Sequence, residues 1–402
     1  MGDALNFREL KGREELSQVF SLDIDLLSED KSIDPKALLG KSATVVVETE
    51  GGGRQYLDGI VTRFGMQGQD HRFYAYRLRL QPWIWLASRK GDFRIFQNKS
   101  VPDILEEVLG AYGYPMEHEG IYYYHQHAAG RHTLTLADDI VASHQPLPGA
   151  STIPFYPPEK SAVANRENIH AWELHEEIHS GRFYNDDYDF KKPKADLANM
   201  RQMPPGHSHD AYETYEWPGG YTKFGDGEAY ARVRLQENLS GRSTVRGESR
   251  YRSLATGYLF TLENYSRGDQ NQPYLITDLQ YHFQENPRMS AVNPGGKGTV
   301  KEEGSFQRFT LHAQPTSLPY TPARVTPRPR TTGPQTAVVV GPPGEDIWPD
   351  QYGRVKVQFH WDRQGKFDEQ SSCWIRVSQG WAGQTYGSIY LPRIGQEVIV
   401  DS

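Results

Sequence analysis

The chain is short of four things that would each point to a particular kind of protein. It has one cysteine in 402 residues, Cys373, so no intrachain disulfide framework exists and folding suits a reducing compartment. It has no apolar run approaching the roughly 18 residues of a spanning helix. The start, MGDALNFRELKGREELSQVF, lacks a basic segment followed by an apolar one, which excludes a Sec signal. It has no surplus of positive charge either: the net charge is −7, which argues against a dedicated nucleic-acid binder. Hydrophobic content of 37% is low for one compact globule, and the length fits about two to four domains.

What is abundant is aromatic and strand-like. There are 24 Tyr, 16 Phe and 8 Trp, side chains that suit strands and interfaces, and 38 Gly with 26 Pro suit many turns. Period-two alternation recurs. Residues 19–27 place Phe20, Leu22, Ile24 and Leu26 on one face, opposite Ser21, Asp23 and Asp25. Residues 76–80 and 230–235 alternate with Arg outward, and in 354–361 Val355, Val357, Phe359 and Trp361 alternate with Lys356, Gln358 and His360. Such runs are half-buried strands. One helix is expected over 100–113, with Ser100 as N-cap, Pro102 in the first turn and Ile104, Leu105, Val108 and Leu109 as its stripe, ending at Gly110 and Gly113. Residues 141–168 read as a long polar surface loop. Eight prolines in 313–345 mark a spacer. Residues 346–402, around Trp348, Trp361, Trp374 and Trp381, have the size of a small closed barrel.

The chemical motifs are weak. HEEIH at 175–179 matches the H-E-x-x-H pattern, which binds zinc only on a helix, where i and i+4 share a face. Ser180-Gly181 would break that helix one residue on, and Trp172, Leu174, Glu176 and Ile178 alternate as a strand would. The extended signature needs Gly at Arg182 and His at Asn185. HSHD at 207–210 reads as a solvated turn, GGKGT at 295–299 as a hairpin tip without phosphate-loop spacing, and Cys373 in SSCWIRV as a buried small side chain. No nucleophile elbow or dinucleotide fingerprint occurs. The sequence therefore assigns no catalytic, cofactor-binding or metal residue. A small barrel could bind single-stranded nucleic acid, but the acidic balance favours core packing for its tryptophans.

Longer strings carry more information. They are LSEDKSIDPKALLGKSATV (27–45), LDGIVTRFG (57–65), the block 77–114, EGIYYYHQHAAGRHTLTLAD (119–138), SGRFYNDDYDFKKP (180–193), YTKFGDGEAYARVRLQE (221–237), the block 335–383 and LPRIGQEVIVD (391–401). In that order, over nearly the whole chain, they closely resemble VgrG, the spike protein of bacterial type VI secretion systems. The resemblance implies a mainly β fold: a tail-hub-like domain of two β-barrel subdomains with minor helix over 1–312, a proline-rich linker over 313–345, and a small OB-like barrel over 346–402, ahead of a β-helix needle. HEEIH then falls in a variable polar strand. Two departures stand out. The step from Pro115 to Met116 lacks a stretch the family usually has, and the sequence stops at IVDS, before a needle or effector extension.

By the same resemblance the chain is a structural part without catalysis or cofactor. It would form a homotrimer on the hexameric Hcp tube, contact baseplate proteins, and carry a PAAR-type tip protein and effectors through its C-terminal region. It would assemble in the bacterial cytoplasm, leave through the type VI machinery, and meet membranes only by puncture. A contractile phage or pyocin hub shares the architecture. From a different class comes a zinc-dependent hydrolase using His175, Glu176 and His179.

Overall fold

A computed structural model describes residues 5–50, 52–70, 72–117, 122–149, 151–159, 167–285, 305–327 and 330–401. Five strands open the chain: β1 (Asn6–Glu15), β2 (Ser21–Ser28), β3 (Ser42–Glu48), β4 (Arg54–Asp70) and β5 (Phe73–Gln81). They pair in the order β1-β2-β5-β4-β3, and β1 also pairs with Pro273–Gln284, which continues through Phe306–Pro315 and Ser243–Ser249 to Ile169–Glu176. With three short strands off this path, the expected pair of hub subdomains hydrogen-bonds into one 12-stranded sheet.

Alternation explains how the sheet is filled. Register sets Leu22 opposite Leu80 and Ile24 opposite Leu78, all buried, while the intervening Asp23 and Asp25 oppose Arg79 and Arg77 on the outer face. Each arginine holds its aspartate through two hydrogen bonds of 2.6–2.9 Å. These exposed pairs contribute only about 0.2–1 kcal/mol each; the stability lies on the other face. There Leu10, Leu22, Leu80, Phe260, Phe309 and Leu311 belong to one core spanning both halves of the sheet. Gly12 suits the close pairing of β1 with β2, because a Cβ there would crowd the buried Leu22 side chain and lie 3.0 Å from the Ser21 carbonyl oxygen. Register shifts at Phe7/Glu9, Val61/Arg63, Met66/Gly68 and Ile276/Asp278 mark bulges, which sharpen twist and bend the sheet around its core.

Several expectations are corrected. Residues 230–235 are not a strand: they lie in the helix Phe224–Ser240. Ala231, Val233 and Leu235 alternate with arginines over six residues, but over 17 the buried positions are Gly227, Ala231, Leu235 and Leu239, a spacing of four, with Ser240 beside the last. That stripe packs on Phe183 of Arg182–Asn185, the central strand of a three-stranded sheet with Asn199–Gln202 and Glu213–Glu216. Residues 141–168 are not simply a surface loop. Gln145–Pro146 and Thr152–Pro154 pair in parallel with Tyr258–Glu263, and Leu147 and Ile153 enter the main core. GGKGT at 295–299 lies outside the described residues.

Contacts divide the chain into one compact unit of residues 1–85 and 114–323 and another of 86–113 and 324–402. The helix segment, inside the range expected for the hub, falls in the same compact unit as 324–402. Asp92 accepts from Arg363 at 2.7 Å, Gln97 donates to the Gln370 carbonyl at 2.6 Å, and Phe93 meets Trp361. The helix is Val101–Leu109, closed by a capping box between Ser100 and Asp103. The proline spacer is shorter than 313–345, because Gln335–Val340 is the central strand of a sheet with Lys356–Phe359 and Glu397–Val400. The core of that sheet is Ala337, Val339, Val355 and Val357 rather than tryptophan. Gln358, expected outward, is 1% exposed and donates to the Phe359 and Asp362 carbonyls, shaping the turn after its strand. Trp348 and Trp374 lie 4.8 Å apart with the Lys356 ammonium 5.8 and 5.3 Å from their rings.

Candidate functional surfaces and a buried histidine cluster

HEEIH is strand, not helix, where it matters. Ile169–Glu176 carries His175 and Glu176, pairing His175 with Thr244 at the edge of the large sheet. At about 3.3 Å per residue, extended chain separates positions four apart by roughly 13 Å, about twice their helical distance. His175 lies 3.7 Å from Glu173 at the exposed surface. The His179 N–H donates to His207 Nε2 at 3.3 Å, and His207 Nδ1 donates to the Ser208 carbonyl at 2.8 Å. So HEEIH and HSHD meet in space, and their meeting is structural: Gly181 N–H donates to the Asp210 carbonyl at 3.0 Å, and a Cβ on Gly181 would lie 2.2 Å from that oxygen. Among the described residues no group of three His, Cys, Asp or Glu is arranged to hold a metal ion. Cys373 is exposed rather than buried, because its neighbours Ser371 and Ser372 take the inward places.

A polar cluster that the sequence reading passed over lies under the hairpin Tyr122–Ala128 and Arg131–Ala137. His125 and His127 are two apart on one strand, and His132 is the register partner of His127. Their rings surround Phe20 at centroid distances of 5.0, 5.1 and 5.8 Å. Two carboxylates reach them from the large sheet. Glu14 of β1 takes His127 Nε2 at 3.2 Å and the Tyr281 hydroxyl at 3.0 Å; Asp58 of β4 takes His132 Nδ1 at 2.8 Å, Ser42 at 2.8 Å and Thr44 at 2.6 Å. Backbone amides fix the remaining ring nitrogens, since Asp58 N–H donates to His127 Nδ1 at 3.0 Å and Trp83 N–H to His132 Nε2 at 2.8 Å. Each of these two rings thus donates to a carboxylate with one nitrogen and accepts an amide with the other.

His125 is different: both its nitrogens are buried without a hydrogen-bond partner. Burial, then the neighbouring His127 and His132, hold it well below the ordinary histidine range. Burial would also lower His127, but the Glu14 carboxylate outweighs it and raises that ring. Burial would raise Asp58, yet its bonds from His132, Thr44 and Ser42 hold its carboxyl below the usual range. The three histidines of HQHAAGRH, spaced two apart and then across a Gly turn, were the available signal. Nothing in that string announces the carboxylates, which arrive from residues 14 and 58.

Two surface features stand out among the described residues. A groove of about 1660 Å³ lies in the first unit, its floor including Ile24, Val47, Leu78 and Leu80 and its wall Arg250 and Arg308. In the C-terminal unit large apolar side chains are outward: Trp381 65%, Tyr386 62%, Ile389 77%, Tyr390 73% and Ile399 75% exposed. Of these, the Trp381 and Tyr386 rings lie 5.8 Å apart, and large apolar side chains exposed together are a feature of interaction sites.

Comparison with known proteins gives a consistent result. Residues 13–117 and 115–287 match the phage tail baseplate hub (GPD) family, and 337–402 match the type VI secretion system/phage-baseplate injector OB domain. The two hub segments meet at 115–117, the abrupt junction noted in the sequence. Three Pseudomonas aeruginosa proteins, type VI secretion system spike proteins VgrG1b, VgrG1c and VgrG1a, are 38%, 39% and 38% identical over 99% of this chain. The chain spans 56%, 58% and 65% of their respective lengths. Among solved structures, the E. coli c3393 protein, a type VI component described as similar to T4 tail proteins gp27 and gp5, superposes with TM-score 0.63 at 16% identity, covering 98% of this chain and 92% of that one. The Francisella PdpA–VgrG complex gives TM-score 0.63 at 9% identity, covering 99% of this chain and 66% of that one. At these identities the likeness is one of fold.

Proposed function

Because the chain belongs to the VgrG family of type VI secretion spike proteins, we propose that it is the hub and OB-like portion of such a spike, transmitting thrust without catalysing a reaction. In this reading three copies assemble on the hexameric Hcp tube beside the baseplate. Contraction then drives them through the target envelope, with a tip protein and effectors carried along. The chain leaves the bacterial cytoplasm by the type VI route; among the described residues no helix is long and apolar enough to cross a membrane.

The observation that carries the proposal is the exposed apolar group of the C-terminal unit. Trp381, Tyr386, Ile389, Tyr390 and Ile399 expose 62–77% of their surface. An obligate interface between copies would bury such side chains, whereas a monomer would leave them as an aggregation hazard. A hub under load also needs parts that do not slide past one another. Continuous pairing between β1 and Pro273–Gln284, over seven residue pairs, supports that role by tying both halves of the hub into one sheet. We take the hub as about residues 1–323 and the barrel as starting near 335, with 86–113 grouped by its contacts with the barrel's unit. The test is assembly: wild-type chain co-sediments with Hcp tubes, and Ile389→Asp/Ile399→Asp abolishes both trimer formation and co-sedimentation. Undiminished trimer and tube binding in that variant would contradict it.

A further inference from the structure

The histidine hairpin has no part in the spike function proposed above, yet its construction is specific. Two of its imidazoles have a carboxylate on one nitrogen and a backbone amide on the other. The third, His125, is 2% exposed and has neither. We propose that His125 is a proton-triggered release for the hairpin 122–137: uptake of one proton there charges an enclosed ring and detaches the hairpin from β1 and β4.

The groups that face His125 explain why the closed hairpin resists that proton. From β1 comes Glu14, whose Oε1 is 4.0 Å from His125 Nδ1 but already holds His127, while its Oε2 holds the Tyr281 hydroxyl. From β4 comes Asp58, committed to His132, Ser42 and Thr44. The remaining neighbours are the rings of Phe20 at 5.0 Å, Tyr123 at 5.7 Å and His132 at 6.1 Å, none of them an anion. A charged His125 must therefore compete with His127 for one carboxylate. Opening to water removes that conflict and restores an ordinary histidine of pKa about 6.5.

The sign follows from linkage. A base whose affinity for protons is lowered in the closed form disfavours that form as pH falls below its free value, because the open form binds a proton that the closed form does not. His127, raised by Glu14, works in the opposite sense and favours closure as pH falls. The contribution of His125 is therefore read by difference. A chain carried into an acidic compartment would loosen its hub at this hairpin, which lies in a small sheet of its own, while the 12-stranded sheet stays paired.

Hydrogen exchange of the full chain, read on peptides covering 122–137 from pH 7.5 to 5.0, tests this. Relative to His125→Asn, which keeps a polar side chain that cannot titrate, wild-type protection falls about tenfold further per pH unit below about pH 6.5. Parallel pH profiles for wild type and variant would overturn the proposal. A second measurement uses wild type alone: the ¹⁵N shifts of the His125 imidazole are followed with the hairpin amides. Charging of His125 that coincides with loss of amide protection supports the release. A charged His125 beneath a hairpin that is still protected overturns it.

Discussion

Removing Asp58 tests whether the cluster beneath the hairpin holds the hub together. The side chain is 1% exposed and accepts from His132 Nδ1 at 2.8 Å, Ser42 at 2.8 Å and Thr44 at 2.6 Å. Hydrogen bonds to a charged group are worth about 1.5–3 kcal/mol each, but removing the carboxylate also removes the cost of its burial. What remains in Asp58→Ala is a buried His132 N–H and two hydroxyls without their acceptor. Breaking a buried pair in this way costs about 3–5 kcal/mol. For a unit of this size that lowers Tm by roughly 6–20 °C, using about 2–4 °C per kcal/mol. The pH profile supplies an independent check. A carboxyl held below its free value stabilises the fold above that value, about pH 3.9, and the contribution is lost as pH falls through the folded value. The deficit of the variant is therefore full at pH 7 and shrinks in strong acid. Calorimetry of wild type and variant from pH 7 to pH 3 measures both effects. A deficit below about 1 kcal/mol at pH 7 would show that the cluster is incidental.

Three further outcomes follow from the fold. Leu235→Ala, at a buried position of the helix Phe224–Ser240, costs about 2–5 kcal/mol by denaturant unfolding, and a cost below about 0.5 kcal/mol would undo the packing described for that helix. Gly181→Ala forces a Cβ against the Asp210 carbonyl and costs about 1–3 kcal/mol; an unchanged Tm would mean the two segments are not zipped together as described. Cys373, being exposed, reacts with a thiol reagent in the native protein at one equivalent per chain, whereas reaction only after denaturation would restore the buried reading.

The sequence showed more of the fold than of its joints. Strands with full alternation, such as Leu22–Ile24 against Leu78–Leu80, were legible because one face packs and the other meets water. Ser100 and Pro102 announced their helix through cap chemistry. The helix Phe224–Ser240 was not legible over 230–235, since six residues cannot separate a period of two from a period of 3.6, and Gly227 sits on its buried stripe. The parallel pairing of Thr152–Pro154 with Tyr258–Glu263 joins residues about a hundred apart, which no local pattern encodes. The histidine cluster and the candidate motif differed in legibility. HEEIH matched a zinc pattern but alternated as a strand would, and His175 and Glu176 do lie in the edge strand Ile169–Glu176, while nothing in the local sequence announced Glu14 and Asp58 as the buried partners of His127 and His132.

The central claim is that this chain is a structural subunit that works as a trimer, and native mass spectrometry of the purified protein tests it most directly. The account predicts a principal species at three times the 45.8 kDa chain mass with no stoichiometric metal. A monomer carrying one tightly held zinc ion, lost in Glu176→Ala, would contradict it and return HEEIH to the centre of the problem.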